Sequence, residues 1–325
     1  GVLCRSVFIV SAKRTPFGTY GGVLKDHSAT DLAEHAAKAA LVAGNVAPEL
    51  VNSVIVGNVM QRLSAVLLCV QRYRGNRYYY RSKSDQHEKT NNWAGNMLMF
   101  HVEVNMKRLG IRFKNDSKDC YGEAGHYNAE IAPIDVKAKK GKVSMTSDEH
   151  PRPQTTLEQM AKLPSVFKKG GTVTAANASG VSDGAAAVVL ASEDALKAHK
   201  LTPLARIVAY HTSGCDPSIM GIGPVPAITE ALKKAGLSLE DMDLVEVNEA
   251  FASQYLAVAK ALGLDPAKTN VNGGAIAIGH PLGASGTRIT AHLVHELRRR
   301  GGKYAVGSAC IGGGQGIAIV LENTN

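Results

Sequence analysis

The chain has 325 residues, with 37 lysines and arginines against 28 aspartates and glutamates, a formal net charge of +9. That length accommodates two domains with an ample core, and no apolar run approaches the roughly 20 residues of a membrane-spanning helix, so no membrane span is expected. The five cysteines, Cys4, Cys69, Cys120, Cys215 and Cys310, are odd in number, scattered and free of any CxxC spacing. This excludes a disulfide framework or zinc ribbon, fits a reducing interior, and leaves no metal site to expect.

Val7 to Ala12 (VFIVSA) reads as a buried strand running into the Pro- and Gly-marked turn KRTPFGTYGG. Asp31 to Ala43 is Ala-rich with helical spacing, and Thr30 is placed to cap it. Val51 to Val56 is the next strand candidate, so strand, helix and strand predict a parallel βαβ unit. From Arg62 the character changes. Residues 61–120 hold a net charge of +7, which leaves +2 for the other 265 residues, and seven of the chain's seventeen aromatics, including Trp93. Arg72, Arg74, Arg77 and the run Tyr78 to Tyr80 could stack bases and bind phosphates. The stretch lacks helical or strand periodicity, so an irregular segment is the favoured reading and no nucleic-acid partner is expected.

Thr172 to Ser192 is Gly- and Ala-rich and ends in a buried strand. Such a composition suits either a tightly packed strand–turn–helix or a narrow passage for a ligand. Pro203 to Tyr210 opens the second half of the chain, Ile222 to Gly236 supplies a helix, and Asp243 to Val247 is a strand. That strand ends on Asn248 and Glu249. A polar pair at the end of a buried strand is a common place for an α/β site, although Asn248 could equally cap a helix.

The stretch from Asn272 to Gly316 carries the strongest signals. Thr287 to Arg300 is a helix with Ile289, Leu293 and Leu297 four apart, Arg298 to Arg300 in its last turn, and Gly301 and Gly302 to stop it. Tyr304 to Ala309 is a short buried strand that delivers Cys310 onto a glycine turn. His280 lies thirty residues ahead of Cys310, and both are embedded in glycine. A histidine in a loop or a cysteine in a core is by itself ordinary. Together, an imidazole and a thiol among backbone groups free to bind an oxyanion point to a site for acyl or thioester chemistry.

The segments GHPLGASG and CIGGGQG, with VNEAFA upstream at Val247 to Ala252, resemble the thiolase family of acyl-CoA acyltransferases in order and spacing. The resemblance runs through Val7 to Gln61 and Asp119 to Asn325, and among thiolases it points to the mitochondrial 3-ketoacyl-CoA enzymes. It implies an α/β fold of two similar βαβ-type halves in a layered α/β/α/β/α core. The first half would span 1–61 and 171–200, be interrupted by 62–118, and be followed by a loop domain over coenzyme A at 119–170. The second half would span 201–325. The implied activity is reversible thiolysis of 3-ketoacyl-CoA to acetyl-CoA and a shortened acyl-CoA in fatty-acid oxidation. The implied setting is the mitochondrial matrix, with CoA as substrate, no tightly bound cofactor, and a dimer or tetramer of the chain.

Carried over position by position, His280 would activate the nucleophile and bind the thioester oxygen together with a water held by Asn248. Cys310 would be the acid/base, and the Gly312 N–H would complete an oxyanion hole. Arg152 would meet the phosphates or adenine of CoA, with Thr155 offering a hydroxyl, unless Thr155 or Thr156 caps a helix at Leu157. Ser179 and Gly180 would border the pantetheine arm. The family's nucleophile sits in a CGSG-like turn, and no such turn occurs here: Cys69 has bulky apolar neighbours (SAVLLCVQRYR), and Cys120 does not match either. The chain as written is therefore expected to lack the means to complete the acyl-enzyme cycle, with a non-catalytic CoA-binding relative as the alternative.

Overall fold

A computed structural model describes residues 6–57 and 125–325 of the chain. The basic, tyrosine-rich stretch, Trp93, Cys4, Cys69 and Cys120 lie outside the described residues. Among the described residues no helix is long and apolar enough to cross a membrane, and no group of three or more His, Cys, Asp or Glu could hold a metal ion.

Among the described residues the core is a six-stranded mixed sheet. Its strands are β1 (Val7–Arg14), β6 (Ala186–Ser192), β7 (Ala205–Gly214), β8 (Leu244–Val247), β9 (Tyr304–Ile311) and β10 (Gln315–Asn323), in the order β6-β1-β7-β10-β9-β8. Two short pairs stand apart, β2 (Gly18–Thr19) with β5 (Ser182–Asp183), and β3 (Ile134–Lys137) with β4 (Lys142–Met145). Within the main sheet β1, β6, β7, β10 and β9 are joined antiparallel, and β8 runs parallel to β9. The parallel unit expected near the N-terminus is not formed by the described residues. Val51 to Val56 makes a single bridge position and belongs to no named strand, and Ile55 is exposed.

Alternation along the strands builds two cores. On one face Val245, Val247, Val306, Ala318 and Val320 pack against α4 (Pro224–Ala235) and α5 (Ala252–Leu262). On the other, Leu244, Ala305 and Leu321 meet Ile289, Leu293 and Leu297 of α7 (Ser285–Arg300). Successive residues facing opposite layers is the period-two signature of a sheet covered on both sides. The helix predicted from Thr287 starts two residues earlier, and Gly301 caps it in the left-handed region with φ 66°.

α1 (Ala29–Ala43) packs on β1 and β6. Its cap is Ser28, not Thr30: the Ser28 hydroxyl accepts from Asp31 N, and the Asp31 carboxylate accepts from Ser28 N. This reciprocal pairing satisfies two helix-end donors at once, which a threonine two residues later does not achieve. The remaining α-helices among the described residues are α2 (Leu157–Ala161), α3 (Glu193–His199) and α6 (Ala275–Ile278).

A charge cluster ties residues 125–150 to both ends of the chain. Arg14 is fully buried, with its Nε 2.6 Å from Glu130 and its outer nitrogens 2.7 and 3.1 Å from the two Asp148 oxygens. The second Glu130 oxygen lies 2.8 Å from Nδ1 of His292 on α7. Burial alone raises the Glu130 pKa, but Arg14 and His292 outweigh it and hold the carboxyl down at about 2. Stability from this group is therefore complete above the ordinary value of 4.5 and drains away as pH falls toward 2. Glu130→Gln, which leaves the buried Arg14 with one carboxylate, should cost about 3 kcal/mol in urea melts at pH 7 and flatten the decline of stability between those pH values.

Candidate active site

Three loops converge beyond the sheet. The first follows β8, where Asn248 N donates to Ser308 O on β9 at 2.9 Å, so the polar residue continues the strand pairing. It does not cap a helix, since α5 begins at Ala252 with Phe251 in the cap position and no side-chain cap. The second is the strap 178–183. Ala178 bridges to Phe251 and Val181 to His280, and Ser179 donates both its N–H and its hydroxyl to Ala250 O at 3.0 Å. The third carries His280, whose N–H lies 3.0 Å from Gly180 O and 3.3 Å from the Ser182 hydroxyl. Gly279 allows this approach: its φ is +102°, and a Cβ there would lie 2.3 Å from Ser182 Oγ.

The side chains of Asn248 and His280 meet, with Nδ2 3.4 Å from Nε2. On its other side the ring touches Ser285, at the start of α7, through Nδ1 at 2.6 Å. The Ser285 hydroxyl donates its one proton to Pro281 O at 3.0 Å. With that proton on Pro281 O, the hydroxyl oxygen accepts from His280 Nδ1–H, the arrangement in which an unprotonated Nε2 accepts from Asn248 Nδ2. Burial pulls the His280 pKa down to about 4, which keeps the ring a neutral base at pH 7. The Asn248 carbonyl oxygen is buried with no hydrogen-bond partner among the described residues.

Cys310 lies within β9, opposite Gly316 of β10, so the glycine turn begins after it and spans 312–314. Burial pushes its thiol up to about 11, with the nearby Cys215 adding to the rise, so it holds its proton at neutral pH. Gly312 faces open space, since a Cβ there would meet nothing within 4 Å.

The residues assigned to CoA are arranged differently. Nη1 of Arg152 donates to the carbonyls of Glu149, His150 and Pro151 at 2.7, 3.0 and 3.1 Å, so part of its guanidinium folds back on its own loop. Thr156, not Thr155, caps α2, in a reciprocal pairing with Gln159. Nearby, Phe167 stacks edge-on against Phe251 at 5.8 Å, and Phe167, Val181 and Leu282 remain exposed. Ser182 and Ser285 escaped the sequence reading. The only local signal for Ser285 is a small polar residue at a helix start five positions after His280.

Residues 201–323 match the family model for the thiolase C-terminal domain, and residues 7–71 with 115–194 match that for the thiolase N-terminal domain. This chain belongs to the thiolase family. It is 55% identical to the mitochondrial 3-ketoacyl-CoA thiolase of Mus musculus, over 99% of both chains. Their alignment runs over 395 positions against a chain of 325 residues, so the relative holds at least 70 positions with no counterpart here. The crystal structure of human mitochondrial 3-ketoacyl-CoA thiolase superposes with a TM-score of 0.93 at 52% identity, covering 99% of this chain and 100% of that one. The human enzyme in complex with CoA superposes with a TM-score of 0.87 at 53% identity, over 98% of each chain. The α/β thiolase fold expected from the motifs is thus present.

Nitrogen-15 NMR of the imidazoles should find His280 Nε2 unprotonated at pH 7, with a titration midpoint near 4. Ser285→Ala removes the acceptor for Nδ1–H. It should move the ring toward the Nε2–H tautomer and lower stability by about 1–3 kcal/mol.

Proposed function

We propose that this chain is an acyl-CoA acyltransferase acting on 3-ketoacyl-CoA, with His280, Asn248, Cys310 and Gly312 as its reaction groups. The observation that carries this reading is the meeting of His280 and Asn248 at 3.4 Å, on a loop bonded to the strand that holds Cys310. A neutral imidazole with a free Nε2 suits removal of a proton from a thiol. A protonated Cys310 suits its delivery to the enolate released when the C2–C3 bond of the 3-ketoacyl group breaks. The acyl group, held as a thioester on the cysteine sulfur that His280 deprotonated, then passes to the sulfur of a second CoA; the CoA thiol proton goes to the Cys310 thiolate, and the imidazolium returns its proton to the released cysteine thiolate. The Gly312 N–H and the water-binding side of Asn248 serve the two oxyanions.

Coenzyme A enters as substrate, with no tightly bound cofactor. Arg152, Thr155 and Ser179 border its path, and the exposed Phe167, Val181 and Leu282 suit the pantetheine arm and acyl chain. Ser179 does so through its backbone and small size, because its hydroxyl is already committed to Ala250. The loop domain is assigned to 119–170 between a first half at 1–61 with 171–200 and a second half at 201–325. The setting is the mitochondrion, in its matrix, and the assembly is a dimer or tetramer.

A second reading is a CoA-binding thiolase without turnover. It is favoured by the absence of a CGSG-like turn from the sequence and by the interruption of the N-terminal family match between 71 and 115. A thiolysis assay with acetoacetyl-CoA and a longer 3-ketoacyl-CoA, with mass spectrometry of the intact protein, separates the two. Turnover with an acyl adduct, reduced on the order of 10²–10⁴-fold by His280→Ala, is the outcome the first reading requires. CoA binding in calorimetry with neither turnover nor adduct would establish the second.

A further inference from the structure

Asn248 and His280 belong to segments joined by no common strand or helix, and their side-chain separation has to be set by something behind them. Glu249 occupies that position. It is fully buried, with one carboxylate oxygen accepting from Asn270 Nδ2 at 2.7 Å and the other from Ile276 N at 3.2 Å. Ile276 lies in α6, which runs through Gly279 directly into His280. Asn270, held with φ at 49°, binds the backbone of Val247 on both sides: its Oδ1 accepts from Val247 N and its Nδ2 donates to Val247 O, each at 2.9 Å. Backbone packs flush against the carboxylate as well, because a Cβ on Gly274 would lie 2.5 Å from Glu249 Cδ and 2.6 and 2.7 Å from its oxygens.

We propose that Glu249 is a positioning residue for the reaction, its carboxylate bridging the Asn248 loop to the α6–His280 segment and setting the distance between the two side chains. The inference rests on the acyltransferase reading only for its catalytic consequence. The donors from Asn270 and Ile276 are both N–H groups, so the bridge between them needs two acceptor oxygens. Glutamine keeps the shape but turns an NH₂ toward one of the donors, which breaks one arm. Gly274→Ala keeps both oxygens and displaces them. Each change releases α6 and lets water reach the His280 ring.

The test is the imidazole titration of His280, followed by NMR in the unliganded full-length protein, for Glu249→Gln and Gly274→Ala. As a control, Leu196→Val loosens the separate core that α3 forms with Val10 and Val46. Glu249→Gln and Gly274→Ala should raise the His280 midpoint by at least about one pH unit as the ring gains water, whereas the control lowers the melting temperature alone. In the parent enzyme's thiolysis assay kcat should fall on the order of 10–100-fold with KM changed less than about twofold. Melting temperatures that fall while the His280 titration stays fixed would overturn the proposal. Should Glu249→Gln not fold, Gly274→Ala decides by the same readout. A parent protein without turnover counts against the acyltransferase reading, whereas an unmoved titration counts against this one.

Discussion

The organising constraint is that α7 is buried on both sides while carrying groups that water would otherwise hold. Ile289, Leu293 and Leu297 face the sheet, and on the same helix Arg288, His292 and Glu296 are each at most 3% exposed. An unpaired charge in that position costs several kcal/mol, so each group has a partner, for Arg288 and His292 from another segment and for Glu296 from its own helix. Arg288 donates to Glu246 on β8, His292 meets Glu130, and Glu296 takes Arg299 and Arg300 from its own last turn. Glu130 passes the linkage on to Arg14, and Arg14 to Asp148, whose Oδ1 also accepts from Phe17 N at 2.6 Å. Residues 125–150 are thereby locked between the N-terminal strand and the C-terminal helix. The same helix begins with Ser285, so the element that organises the fold also fixes the tautomer of His280.

Burial sets the protonation states of the site, and in opposite directions for its two titrating groups. It holds His280 neutral and Cys310 protonated, because the charged form is the imidazolium in one case and the thiolate in the other. A base and an acid ready at neutral pH therefore arise from one dry environment, without a metal-ligand cluster among the described residues. The opposite pull on Glu130 shows why: where a carboxylate is paired with a guanidinium and an imidazole, partner charges outweigh desolvation.

The parts of the fold that were legible are those whose information is local. Helix α7 announced itself through four-residue apolar spacing, an arginine-rich last turn and two following glycines, and β8 and β9 through short apolar runs. The misplaced features depend on competition or on distance. Ser28 outcompetes Thr30 as a cap because Asp31 reciprocates, which requires looking at both hydrogen bonds. Val51 to Val56 has strand composition, yet among the described residues it makes a single bridge position, because a strand is defined by its neighbour as well as by composition. Cys310 lies inside its strand instead of opening the turn, since the pairing of Ile311 with Gln315 extends β9 one residue past it.

The sequence by itself determined the chemical inventory: a histidine, a cysteine and an asparagine in glycine-rich settings, in an order and spacing that resemble those of thiolases, with no CGSG-like turn. Tertiary structure decided what those groups do to one another. The strap 178–183 seats the His280 backbone, Ser285 claims its Nδ1, Asn248 reaches its Nε2, and Glu249 joins the two loops through Asn270 and Ile276. Each of these depends on hydrogen bonds and burial between segments far apart in the chain or on the direction in which a side chain points. Residue type and spacing carry no measure of either. Arg152 makes the same point, since its charge suits a phosphate but the fold turns one of its nitrogens onto three carbonyls of its own loop.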